Sequence, residues 1–417
     1  SKFMYNTIFY IIIWLFVFEF LLSKTLSYLN TLNWTTKLPK ELSWIYDDKK
    51  YKKSMDYEKV NHDFWNISST FSFFVMYFVL LFWWFGQLYD FLSMYCTENE
   101  ILRTLNFFLI IVLIQTIISL PFSYYATFVI EEKFGFNKMT RKLFFIDTLK
   151  SLLLSLIIGW ALIALITWIF LFTGDNFWLY TWWVVTFFSI FMMMFYSSLI
   201  VPLFNKQTPL KKWDLRDAIE KFANKVWFKL DNIYVIDGSK RSSKANAYFS
   251  GFWPKKRIVL YDTLIKDLTT SELVWVLAHE IGHYKKKHTL QMLFFWIAQT
   301  WIMLYILWLA LKIVEISQAM WSVSWISFAV WVVAFGILYT PISIIFWLLW
   351  NMLSRRNEYQ ADEFAGIHHD PKKLKSALIN LSRNNLSNLR PHPIYEFFNY
   401  SHPTVLKRLN ALDKIKK

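Results

Sequence analysis

The chain has 417 residues, of which 56% are hydrophobic and 21% aromatic, while 18% are charged and the formal net charge is +15. Few soluble domains are so apolar, and the combination indicates apolar membrane spans joined by basic loops. Nucleic acid is not an expected partner, because no basic segment coincides with a nucleic-acid motif. The one cysteine, Cys96, excludes an internal disulfide and a CxxC metal or redox motif.

Seven stretches are long and apolar enough to cross a bilayer as helices. The first is expected to remain as an anchor, since its apolar run is too long for a signal peptide and no cleavage site follows. The predicted organisation is therefore spans 1–5 with their loops in 1–204, a soluble segment at 205–288, spans 6 and 7 in 289–352, and a second soluble segment at 353–417. The predicted spans are 5–23, 67–89, 104–127, 150–173, 178–204, 289–313 and 324–352.

Basic residues predict the orientation of these spans. With seven crossings, one side of the membrane holds only Lys2, Arg103 and Lys312, which leaves 45 − 3 = 42 of the lysines and arginines on the other side. The positive-inside rule places the side with 42 in the cytoplasm, together with the C-terminus. The two soluble segments then face each other and can form one domain. We expect a multi-pass protein of a bacterial inner membrane or an endoplasmic-reticulum-type membrane.

The segment "LTTSELVWVLAHEIGHYKKKH" (268–288) has the features of a helix with a metal site. Thr269 and Glu272 form a potential capping box at its start. His279 and His283 are four residues apart, so both imidazoles lie on one helical face and can bind one Zn²⁺, while Glu280 can take a proton from water beside the metal. The longer HExxHxxGxxH pattern is absent, because Lys286 stands at its glycine position.

The third zinc ligand is predicted in "SRRNEYQADEFA" (354–365). Glu358 and Asp362 share one helical face; Glu358 can complete a His₂Glu site, and Asp362 can accept a hydrogen bond from a ligand histidine. His402, in "NYSHPTVLKRL", is a candidate donor to the oxyanion that forms when water attacks a carbonyl. The remaining histidines of the C-terminal half (His288, His368, His369 and His392) are interpreted as having no role.

Three short segments in 232–262 are rich in β-branched and aromatic residues and predict strands. They are "NIYVID" (232–237), "SSKANAYFSGF" (242–252) and "RIVLYD" (257–262). An exposed edge strand beside a zinc site can hold an extended peptide through its backbone. We therefore expect a polypeptide substrate.

Several of these motifs, in order, resemble the CAAX prenyl protease 1 family of integral-membrane zinc endopeptidases. They are "EEKFGFN" (131–137), "SSKANAYFSGF", "RIVLYDTLI" (257–265), "HEIGH", "SRRNEYQAD" and "YSHP". The resemblance implies a mainly α-helical membrane protein, with seven transmembrane helices around an intramembrane chamber and a small α+β metalloprotease domain of the gluzincin type. It implies one zinc ion per chain on His279, His283 and Glu358, with Glu280 as base and His402 as transition-state donor. It also implies substrate pairing along Asn246, Ala247, Tyr248 and Phe249, and peptide substrates that can carry a C-terminal isoprenylated cysteine.

Two other functions are compatible with the same residues. One is a quality-control membrane zinc protease, which usually has fewer spans. The other is a transporter or receptor with a structural zinc, for which a closed site of four ligands is expected.

The tryptophan and glycine counts, 23 and 9, suggest a further hypothesis. Trp34, Trp213, Trp227 and Trp253 fall in turn-like segments where glycine is the usual residue. Many of the tryptophans would be glycines in the native protein if one stop codon of the genome encodes glycine. Genuine aromatic enrichment of a membrane protein is the alternative.

Overall fold

The computed structural model describes residues 5–95, 98–211, 214–228, 233–250, 257–320 and 327–414, with only the backbone of Phe249 and Ser250. Its N-terminal half is helical. Side chains of Asn6, Asp47, Asn99 and Thr140 accept backbone N–H bonds at the starts of four of these helices. A π-helical segment, Ala126–Glu131, links the fourth helix to the fifth. The helices are α1 (Thr7–Thr31), α2 (Asp48–Leu81), α3 (Trp84–Tyr95), α4 (Glu100–Tyr125), α5 (Glu132–Phe134), α6 (Arg141–Thr173), α7 (Phe177–Leu199) and α8 (Val201–Phe204).

The C-terminal half combines a small sheet with helices. Its elements are β1 (Gln207–Pro209), α9 (Asp214–Lys225), β2 (Ile233–Ile236), β3 (Ala247–Ser250), β4 (Arg257–Tyr261), α10 (Asp262–Asp267), α11 (Thr270–Lys285), α12 (His288–Ala310), α13 (Val314–Ala319), α14 (Phe328–Leu338), α15 (Thr340–His368), α16 (Pro371–Asn384), α17 (Pro393–Asn399) and α18 (Val405–Leu412).

The sheet has the order β1-β2-β4-β3, so β3 is an edge strand. β2 pairs with β4 in parallel, and β3 pairs with β4 antiparallel. The three predicted strand segments thus contain β2, β3 and β4. The inner faces of the sheet and of α9, α11 and α16 share one apolar core, in which Leu260, Trp275 and Leu277 are fully buried.

Among the described residues, five helical stretches are long and apolar enough to cross a membrane, or six if a bent pair counts as one span. The bent pair is α14 with α15, which meet at 58°. The five are Thr7–Thr31, Asp48–Leu81, Glu100–Phe134, Arg141–Phe204 and His288–Ala310.

One boundary predicted from the sequence is wrong. The span expected at 67–89 crosses a helix break at Phe82 and Trp83, where the backbone of Trp83 has a φ of 53°. α2 instead begins at Asp48, because the polar residues before 67 continue the same helix outside the apolar segment.

Trp227 occupies a position that favours glycine. It follows α9 with a φ of 52°, and its side chain is 90% exposed. The Phe228 N–H donates to the Ala223 carbonyl at 2.8 Å, and the Trp227 N–H donates to the Asn224 carbonyl at 3.1 Å. These two bonds define a Schellman motif, whose left-handed residue is most often glycine. This geometry agrees with the glycine hypothesis at Trp227, whereas Trp34 does not have a positive φ, and Trp213 and Trp253 lie outside the described residues.

We expect Trp227→Gly to stabilise the protein, whereas Trp227→Ala, which also removes the ring, should not. A left-handed backbone costs a residue with a Cβ about 1–2 kcal/mol, so the glycine variant should have the higher melting temperature of the two. Thermal unfolding of the detergent-solubilised variants measures the difference. Equal melting temperatures of the two variants would show that residue 227 carries no conformational strain. Whether the native residue is tryptophan or glycine is decided separately, by the peptide mass of the natively expressed protein.

Candidate metal centre

The helix that carries the HExxH motif, α11, is fixed at its start by the predicted capping box. The Thr269 hydroxyl accepts from the Glu272 N–H, and the Glu272 carboxylate accepts from the Thr269 N–H at 2.9 Å. Glu272 also accepts from Ser376 and Asn380 of α16. These bonds anchor α11 on the soluble core and leave its C-terminal half, with His279 and His283, directed toward α15.

Close packing of α11 on α15 depends on Gly282. A Cβ at this position would lie 3.1 Å from the Ala361 carbonyl oxygen and 3.2 Å from the Ala361 Cα. Real Cβ atoms seldom approach backbone so closely, and backbone atoms cannot rotate away. The glycine of HEIGH therefore permits the approach that brings Glu358 to the two histidines.

Three side chains converge between the two helices. The Nε2 atoms of His279 and His283 are 3.1 Å apart. The Glu358 carboxylate lies 3.4 Å from the first and 3.3 Å from the second. His279, His283 and Glu358 thus form a group whose ligand atoms all lie within 4.8 Å of one another and which could hold a metal ion.

The chemistry of this group fits a cation. Glu358 is 4% exposed, and its Oε2 atom has no hydrogen bond to any described residue. Two imidazole nitrogens and a carboxylate are a donor set that zinc prefers. A zinc ion bound by these three residues would satisfy the buried carboxylate and leave an open coordination position.

Asp362, expected from the sequence to accept a hydrogen bond from a ligand histidine, lies behind His279. Its Oδ1 is 2.9 Å from His279 Nδ1, so Nδ1–H can donate to the carboxylate while Nε2 faces Glu358. Although burial favours the neutral imidazole, the hydrogen bonds to Asp362 and Glu358 raise the pKa of His279 to about 10. Asp362 and Glu358 therefore stabilise positive charge at the position of the His279 ring.

Arg408 of α18 completes this part of the site and was not found by sequence reasoning. Its guanidinium donates to both Asp362 oxygens, at 2.8 and 2.6 Å, and lies 3.4 Å from Glu358. Such a two-point contact fixes the plane of the carboxylate. The segment "VLKRLN" gave no signal for this role, since an arginine in a short amphipathic helix is usually solvated.

Glu280, the predicted base, is half-buried beside the histidines of α11. Burial raises the pKa of its carboxyl above the ordinary value, although the charges of His279, His283 and Arg408 act in the opposite direction. A carboxylate with a raised pKa is a better proton acceptor than a solvated one.

His402 reaches the same centre from the loop between α17 and α18. Its Nδ1 is 3.0 Å from Glu358 Oε1, while 64% of its side chain is exposed. α15 holds the segment that precedes it: Asn351 donates to the Phe398 carbonyl at 2.8 Å, and Arg355 donates to the Tyr400 carbonyl at 2.5 Å. One helix thus positions both Glu358 and His402.

The structure therefore brings together Glu280, His402 and the three candidate ligands, with Asp362 behind them. The predicted substrate strand, Asn246–Phe249, coincides with edge strand β3 and the residue before it. Three residues assigned no role from the sequence, His368, His369 and His392, contact groups outside the metal centre, which are Phe364, the rings of Phe222 and Trp275, and Asn30. His288 does not follow this pattern, because it contacts His283 directly.

We expect Gly282→Ala to lower both stability and zinc affinity, because the added methyl group pushes α15 and Glu358 away. Overpacking of this kind costs about 1–3 kcal/mol. Gly159→Ala in α6 is the matched control: nothing lies within 4 Å of its Cβ, so it should be neutral or stabilise by about 1 kcal/mol. Melting temperature and zinc titration of both variants measure the effects. Equal behaviour of the two would remove Gly282 as the determinant of the α11–α15 distance.

Comparison with known proteins agrees with this geometry. Residues 27–206 match the family model of the CAAX prenyl protease N-terminal region with five membrane helices, and residues 209–416 match peptidase family M48. A CAAX prenyl protease 1 homolog of Dictyostelium discoideum is 36% identical, covering 91% of this chain and 90% of that protein. The homolog of Arabidopsis thaliana is 37% identical, covering 90% of each chain.

A solved structure extends the similarity to three dimensions. The crystal structure of S. mikatae Ste24p superposes with a TM-score of 0.91 at 33% identity, covering 98% of this chain and 99% of that one. Members of peptidase family M48 are metallopeptidases, which accords with the His₂Glu group between α11 and α15. The chain belongs to the CAAX prenyl protease 1 family and is a membrane metalloendopeptidase.

Proposed function

We propose that this protein uses one zinc ion, held by His279, His283 and Glu358, to hydrolyse a peptide bond near the C-terminus of CAAX-type substrates. The observation that carries the proposal is the convergence of these three side chains beside the half-buried Glu280. When bound, zinc supplies Lewis acidity for the scissile carbonyl and lowers the pKa of water.

Glu280 and His402 carry the proton and charge movements in this proposal. Glu280 takes a proton from the attacking water and passes it to the leaving amine. His402 donates to the oxygen that gains negative charge, and its exposed ring can turn from Glu358 toward a substrate. Arg408 and Asp362 hold His279 in the tautomer that leaves Nε2 free as a ligand.

The backbone of β3 offers a defined set of atoms for an extended peptide. The Tyr261 N–H donates to the Asn246 carbonyl, so Asn246 and, two residues on, Tyr248 direct their backbone groups toward β4. Antiparallel residues alternate in this respect, so Ala247 and Phe249 direct theirs toward the open side. Asn246 Oδ1 accepts from the Ala247 N–H at 2.8 Å. We infer that a substrate pairs with the Ala247 carbonyl and with Phe249, and that it competes with the Asn246 side chain for the Ala247 N–H.

Seven crossings are proposed for the membrane part. The stretch Arg141–Phe204 has 64 residues, about 96 Å of helix, which is too long for one span. It contains α6 and α7, which contact each other on either side of Gly174, a residue with a positive φ of 55°. Counting them separately, and α14 with α15 as one, gives seven. The basic loops, the zinc site and the C-terminus then lie on the cytoplasmic side.

An intramembrane chamber is supported by two cavities that share Glu19. A cavity of 1070 Å³ is lined by α1, α2, α3 and α4 and includes Gln115, and one of 480 Å³ is lined by α1, α12 and α15 and includes Gln299. An acidic residue within an apolar helix is expected to face water or protein. Gln291, another polar residue of the predicted span 289–313, lines neither cavity.

We expect Glu280→Gln to keep zinc and fold but to lose nearly all hydrolysis, because the ligands remain and the base is removed. Loss of a general base typically costs about 10²–10⁴-fold in rate. Glu363→Gln, the same change at an exposed carboxylate of α15, should retain full turnover. Metal analysis and cleavage of a C-terminally labelled peptide measure the two effects. Substantial residual turnover of Glu280→Gln with full zinc would show that Glu280 is not the general base.

We also expect a peptide ending in farnesylated Cys-aliphatic-aliphatic-X to have a kcat/KM at least about tenfold higher than the unmodified peptide. The cavity of 1070 Å³ is lined mainly by aromatic and aliphatic side chains, and each buried CH₂ contributes about 0.8 kcal/mol. An S-alkyl chain of similar length serves as the matched substitute and should restore much of the preference. The same kcat/KM for all three peptides would mean that the lipid is not recognised.

A further inference from the structure

The second candidate ligand, His283, is followed by a series of two further side chains at hydrogen-bonding distance. His283 Nδ1 lies 3.0 Å from His288 Nδ1, and His288 Nε2 lies 2.9 Å from Gln360 Oε1. His288 is 3% exposed, although it is the first residue of a membrane helix. Gln360 is on α15, two residues after Glu358. The three side chains thus connect α11, α12 and α15 directly behind the candidate metal centre.

The backbone between α11 and α12 makes this contact possible. In one continuous helix, residues 283 and 288 would point about 140° apart and could not meet. α11 ends at Lys285, and Lys287 has a left-handed φ of 59°. Left-handed backbone is unfavourable for a residue with a Cβ, so the surrounding packing must hold it. The turn redirects the chain and places the His288 ring against the His283 ring.

Hydrogen-bond chemistry allows only one proton arrangement in which neutral His283 can bind a metal through Nε2. His283 must then carry its proton on Nδ1 and donate it to His288 Nδ1. His288 must carry its own proton on Nε2, because a neutral imidazole has one donor and one acceptor. The Gln360 carbonyl oxygen is the acceptor that this proton requires. In this arrangement each donor in the His283–His288–Gln360 series faces an acceptor.

We propose that His288 and Gln360 are positioning residues that hold His283 in its metal-binding tautomer and ring orientation. They would do for His283 what Asp362 does for His279, with neutral groups in place of a carboxylate. The inference rests on the proposed metal-binding role of His283, but not on Glu280 or on hydrolysis.

Zinc titration of the full-length protein in detergent tests the proposal. His288→Leu should lower zinc affinity by about 10–100-fold, the usual cost of losing a partner of a ligand histidine. His288→Asn should lose less zinc affinity than His288→Leu, because its side-chain oxygen can take the place of Nδ1 as the acceptor from His283. His368→Leu, at a histidine whose imidazole lies against the Phe364 carbonyl and ring, is the control for loss of an imidazole and should leave zinc affinity unchanged.

Gln360→Leu removes the last side chain of the His283–His288–Gln360 series. It should also weaken zinc binding, and it should add no further loss in the His288→Leu background, because Gln360 acts through His288. In Co²⁺-substituted protein, His288→Leu and Gln360→Leu should alter the visible d–d spectrum, whereas His368→Leu should not.

If His288→Leu does not fold, Gln360→Leu decides the question alone. Unchanged zinc affinity in Gln360→Leu, or equal losses in folded His288→Leu and His288→Asn, would overturn the proposal. Turnover that survives Glu280→Gln would refute the proposed mechanism and leave this inference standing.

Discussion

The close contact between α11 and α15 is the constraint on which the rest of this structure depends. The two helices come from sequence segments separated by a whole membrane helix and more, and they contribute two histidines and one glutamate to one centre. Gly282 has no side chain at the point of closest approach, and Ala361 and Ala365 on the facing helix are fully buried. Small residues at a crossing point let backbones approach, and here the approach sets the distance between the candidate metal-binding atoms.

With His279 and His283 neutral, as metal ligands must be, the charges at this contact are balanced only in part. Glu358, Asp362 and Glu280 supply three carboxyl groups, and Arg408 supplies one guanidinium ion bonded to two Asp362 oxygens. Burial of carboxylates is costly unless they are paired. The remaining negative charge is what a divalent cation would offset, so the metal would contribute to the stability of the contact as well as to the chemistry. This explains how a group of ionised residues can persist at the edge of an apolar membrane protein.

The same contact orders the parts of the site around it. α15 holds the loop that carries His402 through bonds from Asn351 and Arg355 to carbonyls of the preceding segment. α11 packs in the soluble core against the sheet whose free edge is β3. α12 begins at the end of α11 with a left-handed Lys287, which returns His288 to the centre. Edge strand β3, the candidate metal group and the start of α12 are therefore fixed relative to one another by a few helix ends.

The sequence by itself determined the local parts of this protein. The spacing of His279 and His283, the capping box at Thr269, the β-branched and aromatic residues of the strand segments in 232–262 and the apolar runs all depend on neighbours within a few residues. Such local patterns can be read directly from the sequence. Glu358 and Asp362 were also accessible, because their spacing places both on one face of α15. Only the tertiary structure decided which distant groups support them. Arg408 lies on a short helix with no distinguishing pattern, and a positive φ at Lys287 cannot be read from a run of three lysines. His288 has no role in the interpretation from the sequence, and in a continuous helix it would point away from His283. The contacts of these residues arise from chain reversal and helix packing, which depend on the whole fold rather than on local periodicity.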